Sequence, residues 1–228
     1  MNKPIVIFGS GEIAALAKQY FSADSDHEVV GFTVDDEYCN AESYEGLPLV
    51  PFSQITSRFP PKEVSGHVAV SYKRLNRLRE EKYHQMKDAG YQLASYVSTH
   101  SAVWESVEIG DNCFILENQT IQLGCEIGNN VMMWSGNHIG HGTKVCDHAY
   151  ISSHVVVAGH CCIGERSFLG VNATIKDFTT VGSDVFVAMS ASVVTDLPDG
   201  SAILPVKSEV LKPDDRKTKA IRRHYFGC

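Results

Sequence analysis

The sequence predicts an α/β domain with a parallel sheet, followed by a long parallel β-helix and a short tail. Two observations support this fold class. A glycine-rich turn joins a buried strand to a helix near the start, and from Val97 onward an apolar residue recurs at every sixth position. The expected boundaries are 1–96 for the α/β domain, 97–200 for the β-helix and 201–228 for the tail, helical near its end.

The first part of the sequence predicts a strand, a turn, a helix and a second strand that ends in acidic residues. The turn is G-x-G-x-x-A, from Gly9 to Ala14, and the acids are Asp35 and Asp36. The expected elements are a strand at 4–8, a helix through about Tyr20, a strand at 28–34, a strand near 67–70 and a charged helix near 74–89. Only about ninety residues are available. This is half of a Rossmann unit, so an NAD(P) dehydrogenase is disfavoured because no second half would hold the nicotinamide.

The second part is a repeat of six residues nested in a repeat of eighteen. The sixth position is apolar seventeen times in succession, from Val97 to Val193. Six residues for each flat face and three faces for each coil describe a triangular prism, in which residues eighteen apart stack at about 4.8 Å. We expect this series to point inward, together with the smaller residues two positions before it: Cys113, Cys125, Thr143, Ala149, Cys161, Ala173 and Thr179.

Composition excludes several classes of function. A net charge of −7 argues against nucleic-acid binding, because phosphate neutralisation needs a basic surface. No apolar run is long enough for a bilayer and the start lacks a signal-peptide pattern, so we expect a cytoplasmic protein with no membrane partner. The seven cysteines form no C-x-x-C pair, so free thiols are expected and no metal site is predicted.

The repeat resembles that of the hexapeptide-repeat acyltransferases, which implies a left-handed β-helix and a homotrimer. The hand comes from the resemblance, since the usual rule for parallel crossovers favours the opposite one. A truncated Rossmann-like domain in front of this repeat resembles the sialic-acid O-acetyltransferase and UDP-amino-sugar N-acetyltransferase family. That resemblance implies acetyl-CoA as co-substrate, a nucleotide-linked amino sugar as acceptor, and a place in surface polysaccharide or glycan biosynthesis.

The family holds its nucleotide in the N-terminal domain. The matching residues are Gly9, Ser10 and Gly11 for the phosphates and Asp35 with Asp36 for the nucleoside. Glycines allow close backbone approach, and a helix N-terminus favours a phosphate.

The loop after the third expected strand, Ser71-Tyr72-Lys73, departs from the family's usual sequence. Lys73 is nevertheless expected to bind the substrate.

Acyl transfer from a thioester needs a base for the incoming nucleophile and a donor for the developing oxyanion. His141 follows inward Ile139 by two positions, and Gly159 stands eighteen residues beyond it, one coil above. His141 is therefore predicted as the general base. His138 is the second candidate for the base and is also expected to bind the substrate. The residue eighteen positions beyond it, one coil above, is Val156 rather than a glycine.

The resemblance agrees with His141 as the base and implies that the Gly159 amide faces the thioester. The expected acyl-CoA-binding residues are Gly159, Ala158 and Tyr150. The family often has an acid after the histidine, where this chain has Gly142, and a second histidine where it has Tyr150.

Two alternatives remain open. An O-acetyltransferase acting on a sugar or sialic acid would use the same base. A non-catalytic scaffold would bind nucleotide-sugars but no acyl-CoA. Zinc sites of trimeric β-helix carbonic anhydrases need histidines five or thirty-six residues apart, and no two histidines of the repeat have those spacings.

Overall fold

The computed structural model describes residues 3–227, which form an N-terminal α/β domain, a triangular β-helix and a C-terminal helix. Cys228, for which a free thiol is expected, lies outside these residues, as do Met1 and Asn2. The six described cysteines are free thiols. No helix of the described part is long and apolar enough to span a bilayer.

The N-terminal domain is a five-stranded sheet flanked by helices. Its elements are β1 Lys3–Phe8, α1 Glu12–Ala23, β2 His27–Val34, β3 Ser43–Tyr44, β4 Leu47–Pro51, α2 Ile55–Arg58, β5 Ser65–Val68 and α3 Arg77–Asp88. The strand order is β3-β4-β2-β1-β5, and every neighbouring pair is parallel except β3 with β4. The carboxyl ends of β1, β2 and β5 therefore meet at one edge of the sheet.

The sequence prediction of this domain missed β3, β4 and α2 and placed the start of α3 too early. The parallel strand β4 was not predicted, because prolines at its second and last positions hide the strand pattern. Helix α3 begins three residues later than expected, because Arg74, Leu75 and Asn76 have φ values of 57°, 50° and 65°, which form a left-handed turn. That turn follows the expected substrate-binding residue Lys73.

The repeat folds as a parallel β-helix with three faces, which confirms this part of the predicted fold class. Each strand has two residues. The first face contains Tyr96–Val97, Phe114–Ile115, Met132–Met133, Tyr150–Ile151, Phe168–Leu169, Phe186–Val187 and Ala202–Ile203 (β6, β9, β12, β15, β18, β21, β23). The second contains Ala102–Val103, Thr120–Ile121, His138–Ile139, Val156–Val157, Thr174–Ile175 and Ser192–Val193 (β7, β10, β13, β16, β19, β22). The third contains Glu108–Ile109, Glu126–Ile127, Lys144–Val145, Cys162–Ile163 and Thr180–Val181 (β8, β11, β14, β17, β20).

The interior of the prism has the expected composition. Within the three faces, strands one coil apart pair residues eighteen positions apart, as in His138 with Val156. The sixth-position series is buried from Ile115 to Val193, and its first three members are partly buried. Cys113, Cys125 and Cys161 fill the core as small apolar side chains.

The N-terminal domain covers the first face of the β-helix. Phe21 and Tyr20 of α1 contact Tyr96 and Phe114 of that face through tilted and edge-on ring contacts. Burial of such aromatic rings is a large source of apolar stabilisation. The domain is thereby held against one side of the prism.

Helix α3 anchors the domain at the corner between the third and first faces. The buried guanidinium of Arg79 donates hydrogen bonds to the carbonyl oxygens of Asn130 (3.3 Å), His148 (2.7 Å) and Ala149 (3.1 Å), and to Asn76 Oδ1 (3.0 Å). Burial lowers the pKa of Arg79 to about 10, so the group stays charged at neutral pH. These bonds join helix α3 to two successive coils.

The tail leaves the β-helix after β23 and ends in helix α4, Arg216–Phe226. Asp215 caps this helix by accepting a hydrogen bond from the Lys217 amide at 2.8 Å. All residues of α4 are exposed or half-buried.

We expect Arg79→Met to lower the free energy of unfolding by about 2–4 kcal/mol, because buried carbonyl oxygens lose charged donors. Chemical unfolding followed by circular dichroism measures this. The matched control is Arg77→Met on the same helix. Its half-exposed ion pair with Asp184, at 2.8 Å, should contribute about 0–1 kcal/mol. Equal unfolding curves for the two variants would contradict the anchoring role of Arg79.

Candidate active site

A cleft of about 430 Å³ opens at the edge where β1, β2 and β5 end. Three predicted substrate-binding residues, Ser10, Asp35 and Lys73, line it together with Arg74 and Lys82. Ligands of open parallel sheets bind in the crevice at this edge. The hydroxyl, cationic and carboxylate side chains of this lining match the polar groups of a nucleoside phosphate.

Glycine is required at the first position of the turn beside this cleft. Gly9 has a φ of +134°, and a Cβ there would lie 2.8 Å from the Ala69 carbonyl oxygen. Its amide donates to the Thr33 carbonyl at 2.8 Å, which joins the turn to β2. Gly11 precedes α1 and has open space around it, so the backbone at the start of α1 is accessible to a ligand.

The two adjacent acids face different ways. Asp35 Oδ1 accepts a hydrogen bond from Lys82 Nζ at 2.8 Å and lies in the cleft. Asp36 Oδ1 accepts one from the Ser53 amide at 2.9 Å and borders a separate cavity beside β4. Hydrogen bonding to Ser53 lowers the pKa of Asp36 below its usual value. The structure therefore brings Asp35, and not Asp36, together with Ser10 and Lys73.

A second group of predicted residues lies at the corner between the second and third faces. The imidazole of His141 lies flat against Gly159 of the next coil, where a Cβ would be 2.7 Å from His141 Cε1. The Gly159 amide donates no hydrogen bond to another residue within 3–227. Neighbouring Ala158 donates to the Ile175 carbonyl at 3.0 Å. An unobstructed amide and an imidazole therefore meet at this corner.

Gln122, which sequence reasoning missed, orients His141. Its Oε1 accepts a hydrogen bond from the His141 amide at 2.9 Å and lies 3.3 Å from His141 Nδ1. Since an amide oxygen only accepts, this arrangement assigns the proton of the neutral ring to Nδ1 and leaves the Nε2 lone pair free. This chain has Gly142 at the position where the family often has an acidic residue after the histidine. The oxygen that orients His141 comes instead from Gln122, one coil below.

The other two predicted residues lie elsewhere on the prism. His138 stands on the second face and pairs with Thr120 and Val156. Tyr150 is buried on the first face, where its hydroxyl accepts a hydrogen bond from Trp134 Nε1, and burial raises its pKa. Within one chain Tyr150 is therefore not at the corner of His141.

The cleft and His141 are on opposite sides of the chain. The N-terminal domain covers the first face, and the corner between the second and third faces is the edge of a triangular prism that this face does not touch. A ligand held in the cleft therefore lies across the prism from the His141 of the same chain.

An apolar pocket of about 480 Å³ lies beside the loop that carries Lys73. Tyr72, Trp134, Tyr150, Phe168 and Phe186 supply its aromatic wall. Tyr150 stacks on Phe168 with ring centroids 5.1 Å apart, and Tyr72 lies edge-on to both. The signal was present in the sequence, because Tyr150, Phe168 and Phe186 follow one another at eighteen-residue spacing.

Glu80, His84 and His148 present possible ligand atoms within 4.8 Å of one another. Their hydrogen bonds fit a metal poorly. The Val68 amide donates to Asn112 Oδ1, Asn112 to Asn130 Oδ1, and Asn130 to His148 Nδ1. The proton of His148 is thereby assigned to Nε2, the atom facing Glu80, and Glu80 also pairs with Arg166 at 3.0 Å. The expectation of no metal stays a prediction.

Known acyltransferases are similar to this chain in sequence and in structure. No protein-family model matches the chain. The acyl-[acyl-carrier-protein]–UDP-N-acetylglucosamine O-acyltransferase of Sinorhizobium fredii is 30% identical over 105 residues, 43% of this chain and 39% of that protein. The chain thus spans about two fifths of the length of that relative. Serine acetyltransferase of Helicobacter pylori is 25% identical over 150 residues, 65% of this chain and 81% of that enzyme.

Solved structures match over nearly the whole length. PerB from Caulobacter crescentus, in complex with CoA and GDP-perosamine, has a TM-score of 0.77 and 25% identity, covering 87% of this chain and 92% of its own. The acetyltransferase domain of PglB from Neisseria gonorrhoeae, in complex with acetyl coenzyme A, has a TM-score of 0.78 and 23% identity, covering 92% and 100%. These findings confirm the resemblance to hexapeptide-repeat sugar acyltransferases and fit a left-handed coil.

We expect Gln122→Leu to change the tautomer of His141, because its Nδ1 proton loses the acceptor. Long-range ¹H–¹⁵N spectra of ¹⁵N-histidine-labelled protein distinguish the two neutral forms. The wild-type ring should show the Nδ1–H form, and the variant a mixture. Gln92→Leu, at an exposed position of the N-terminal domain, is the control. An unchanged tautomer in Gln122→Leu would contradict the orienting role.

Proposed function

We propose that the chain is an acetyl-CoA-dependent N-acetyltransferase that acts in the cytoplasm on a nucleotide-linked amino sugar, for surface polysaccharide or glycan biosynthesis. The contact between the His141 ring, with Nε2 free, and the bare backbone of Gly159 carries this proposal. Two solved structures of the same fold support it, since one holds CoA with GDP-perosamine and the other acetyl coenzyme A.

The N-terminal cleft suits the nucleotide end of the acceptor. The backbone before α1 and the side chains of Ser10 and Lys73 would hold the diphosphate, because a helix N-terminus and a cation both favour negative charge. Asp35 would accept hydrogen bonds from nucleoside hydroxyl or amino groups. Its bond to Lys82 keeps the carboxylate in the cleft.

The corner of His141 suits the acyl transfer. The amine of the sugar attacks the thioester carbonyl and gives a proton to His141 Nε2, which forms the C–N bond and a tetrahedral intermediate whose C–S bond breaks in the following step. The Gly159 amide donates to the oxyanion of the tetrahedral intermediate. The proton on Nε2 then passes to the leaving thiolate, and CoA departs as the thiol.

We propose that the complete site forms between copies of the chain in a homotrimer. A cleft and a base on opposite sides of one prism can act on a single acceptor only if the base comes from a neighbouring copy. The corner of His141 also exposes large apolar side chains, namely Trp104, Leu123, Phe178 and Val194. Exposed apolar residues grouped around a functional corner are typical of a protein interface.

We expect His141→Ala to lower kcat by on the order of 10²–10⁴ because the nucleophile loses its base. Release of thiol from acetyl-CoA with UDP-, dTDP- and GDP-linked amino sugars measures this, and wild-type turnover with one of them tests the proposed function itself. Binding of the accepted nucleotide-sugar, followed by calorimetry, should persist in the variant. Near-wild-type turnover would exclude His141 as the base.

We expect two inactive variants to complement each other. Equal amounts of Asp35→Ala and His141→Ala chains, refolded or co-expressed together, should recover about a quarter of wild-type turnover. The His141→Ala chains supply the intact clefts, which are half of the total. Random assembly places an Asp35→Ala chain, with its intact histidine, next to half of those clefts. A chain carrying both substitutions, mixed with either single variant, should recover none. No recovery in the first mixture would place cleft and base in one chain.

A further inference from the structure

Gly142 leaves a space on the outer surface of the β-helix, at the corner where His141 lies. This residue has a φ of +65° and carries no side chain next to the proposed base. Among the residues eighteen positions apart in its column, Gly124 lies one coil below and His160 one coil above. The column therefore changes from glycine to imidazole where it passes His141.

The ring of His160 occupies this space. A Cβ added to Gly142 would lie 2.7 Å from His160 Nδ1, so the imidazole fills the place that a side chain at 142 would take. The rings of His160 and His141 meet edge-on, with centroids 4.7 Å apart and planes at 85°. On its other side His160 stacks on Phe178 at 5.0 Å and 13°.

The ring of His141 thus contacts Gln122, Gly159 and His160. Gln122 Oε1 holds Nδ1, Gly159 lies under the ring, and His160 abuts it. The hydrogen bond at Nδ1 is long, at 3.3 Å, so it restrains the imidazole only weakly. The edge-on contact with His160 adds a second restraint, because the ring of His160 is itself held by the stack on Phe178.

We propose that His160 is a positioning residue that keeps the His141 imidazole against Gly159, in place of a side chain at 142. The inference rests on the proposed function of His141. The two imidazoles share no hydrogen bond in the described structure, so the contact depends on the shape and aromatic character of His160. A phenyl ring should therefore replace it.

Three substitutions test this role through turnover. His160→Ala should lower kcat about tenfold to a hundredfold with KM for both substrates unchanged, since small displacements of a catalytic group have effects of this order. His160→Phe should rescue most of that loss. Gly142→Ala should reproduce it by displacing the imidazole, yet cause no further loss when added to His160→Ala.

A matched control separates backbone strain from displacement of the ring. Gly124→Ala lies in the same column with a φ of +68°, but its Cβ would meet no atom closer than 3.9 Å. It should turn over like the wild type. A kcat lowered as far by Gly124→Ala as by Gly142→Ala would overturn the displacement argument.

A spectroscopic measurement needs no substrate. The His141 Hε1 resonance, assigned by its loss in His141→Ala, should move in His160→Ala as the ring current disappears, and move less in His160→Phe. If these shifts occur while no nucleotide amino sugar is acetylated, the proposed function fails but the contact stands. An unchanged resonance and kcat in His160→Ala would overturn the inference. Equal losses in the phenylalanine and alanine variants would overturn the aromatic role.

Discussion

The stacking of residues eighteen apart is the constraint on which the rest of this molecule depends. Parallel strands one coil apart are held at about 4.8 Å, so each outward side chain touches the backbone of the next coil. Such spacing leaves room for an imidazole at 141 only because position 159 is glycine. The same spacing lets Gln122 and His160, from the coils below and above, reach the ring of His141.

The corner between the third and first faces has a different task. Asn112, Asn130 and His148 form a hydrogen-bonded ladder along it, and Arg79 of α3 donates to the carbonyl oxygens beside that ladder. Because these groups are buried, an unpaired member would cost free energy, and the ladder therefore fixes where the N-terminal domain sits. Its position over the first face places the nucleotide cleft across the prism from the His141 corner of the same chain.

The strained turn at Arg74–Asn76 lies between the N-terminal cleft and the surface of the β-helix. Three consecutive residues with positive φ are costly, and the hydrogen bonds of Asn76 to the carbonyl of Arg166 and to Arg79 hold them in place. The turn keeps Lys73 and Arg74 on the wall of the cleft while Tyr72 contacts Tyr150. The cleft and the β-helix surface are thus connected through one short segment.

The sequence by itself determined the features that repeat or that follow directly along the chain: the β-helix, its buried positions, the G-x-G turn and the stacking of Gly159 on His141. Its periodicity is a local property that fixes register without knowledge of the domain arrangement. Only the tertiary structure decided that Asp35 and Asp36 diverge, that Gln122 and His160 contact His141, and that cleft and base lie on opposite sides. These depend on side-chain directions at corners and on the docking of one domain against one face, and neither is set by a repeat.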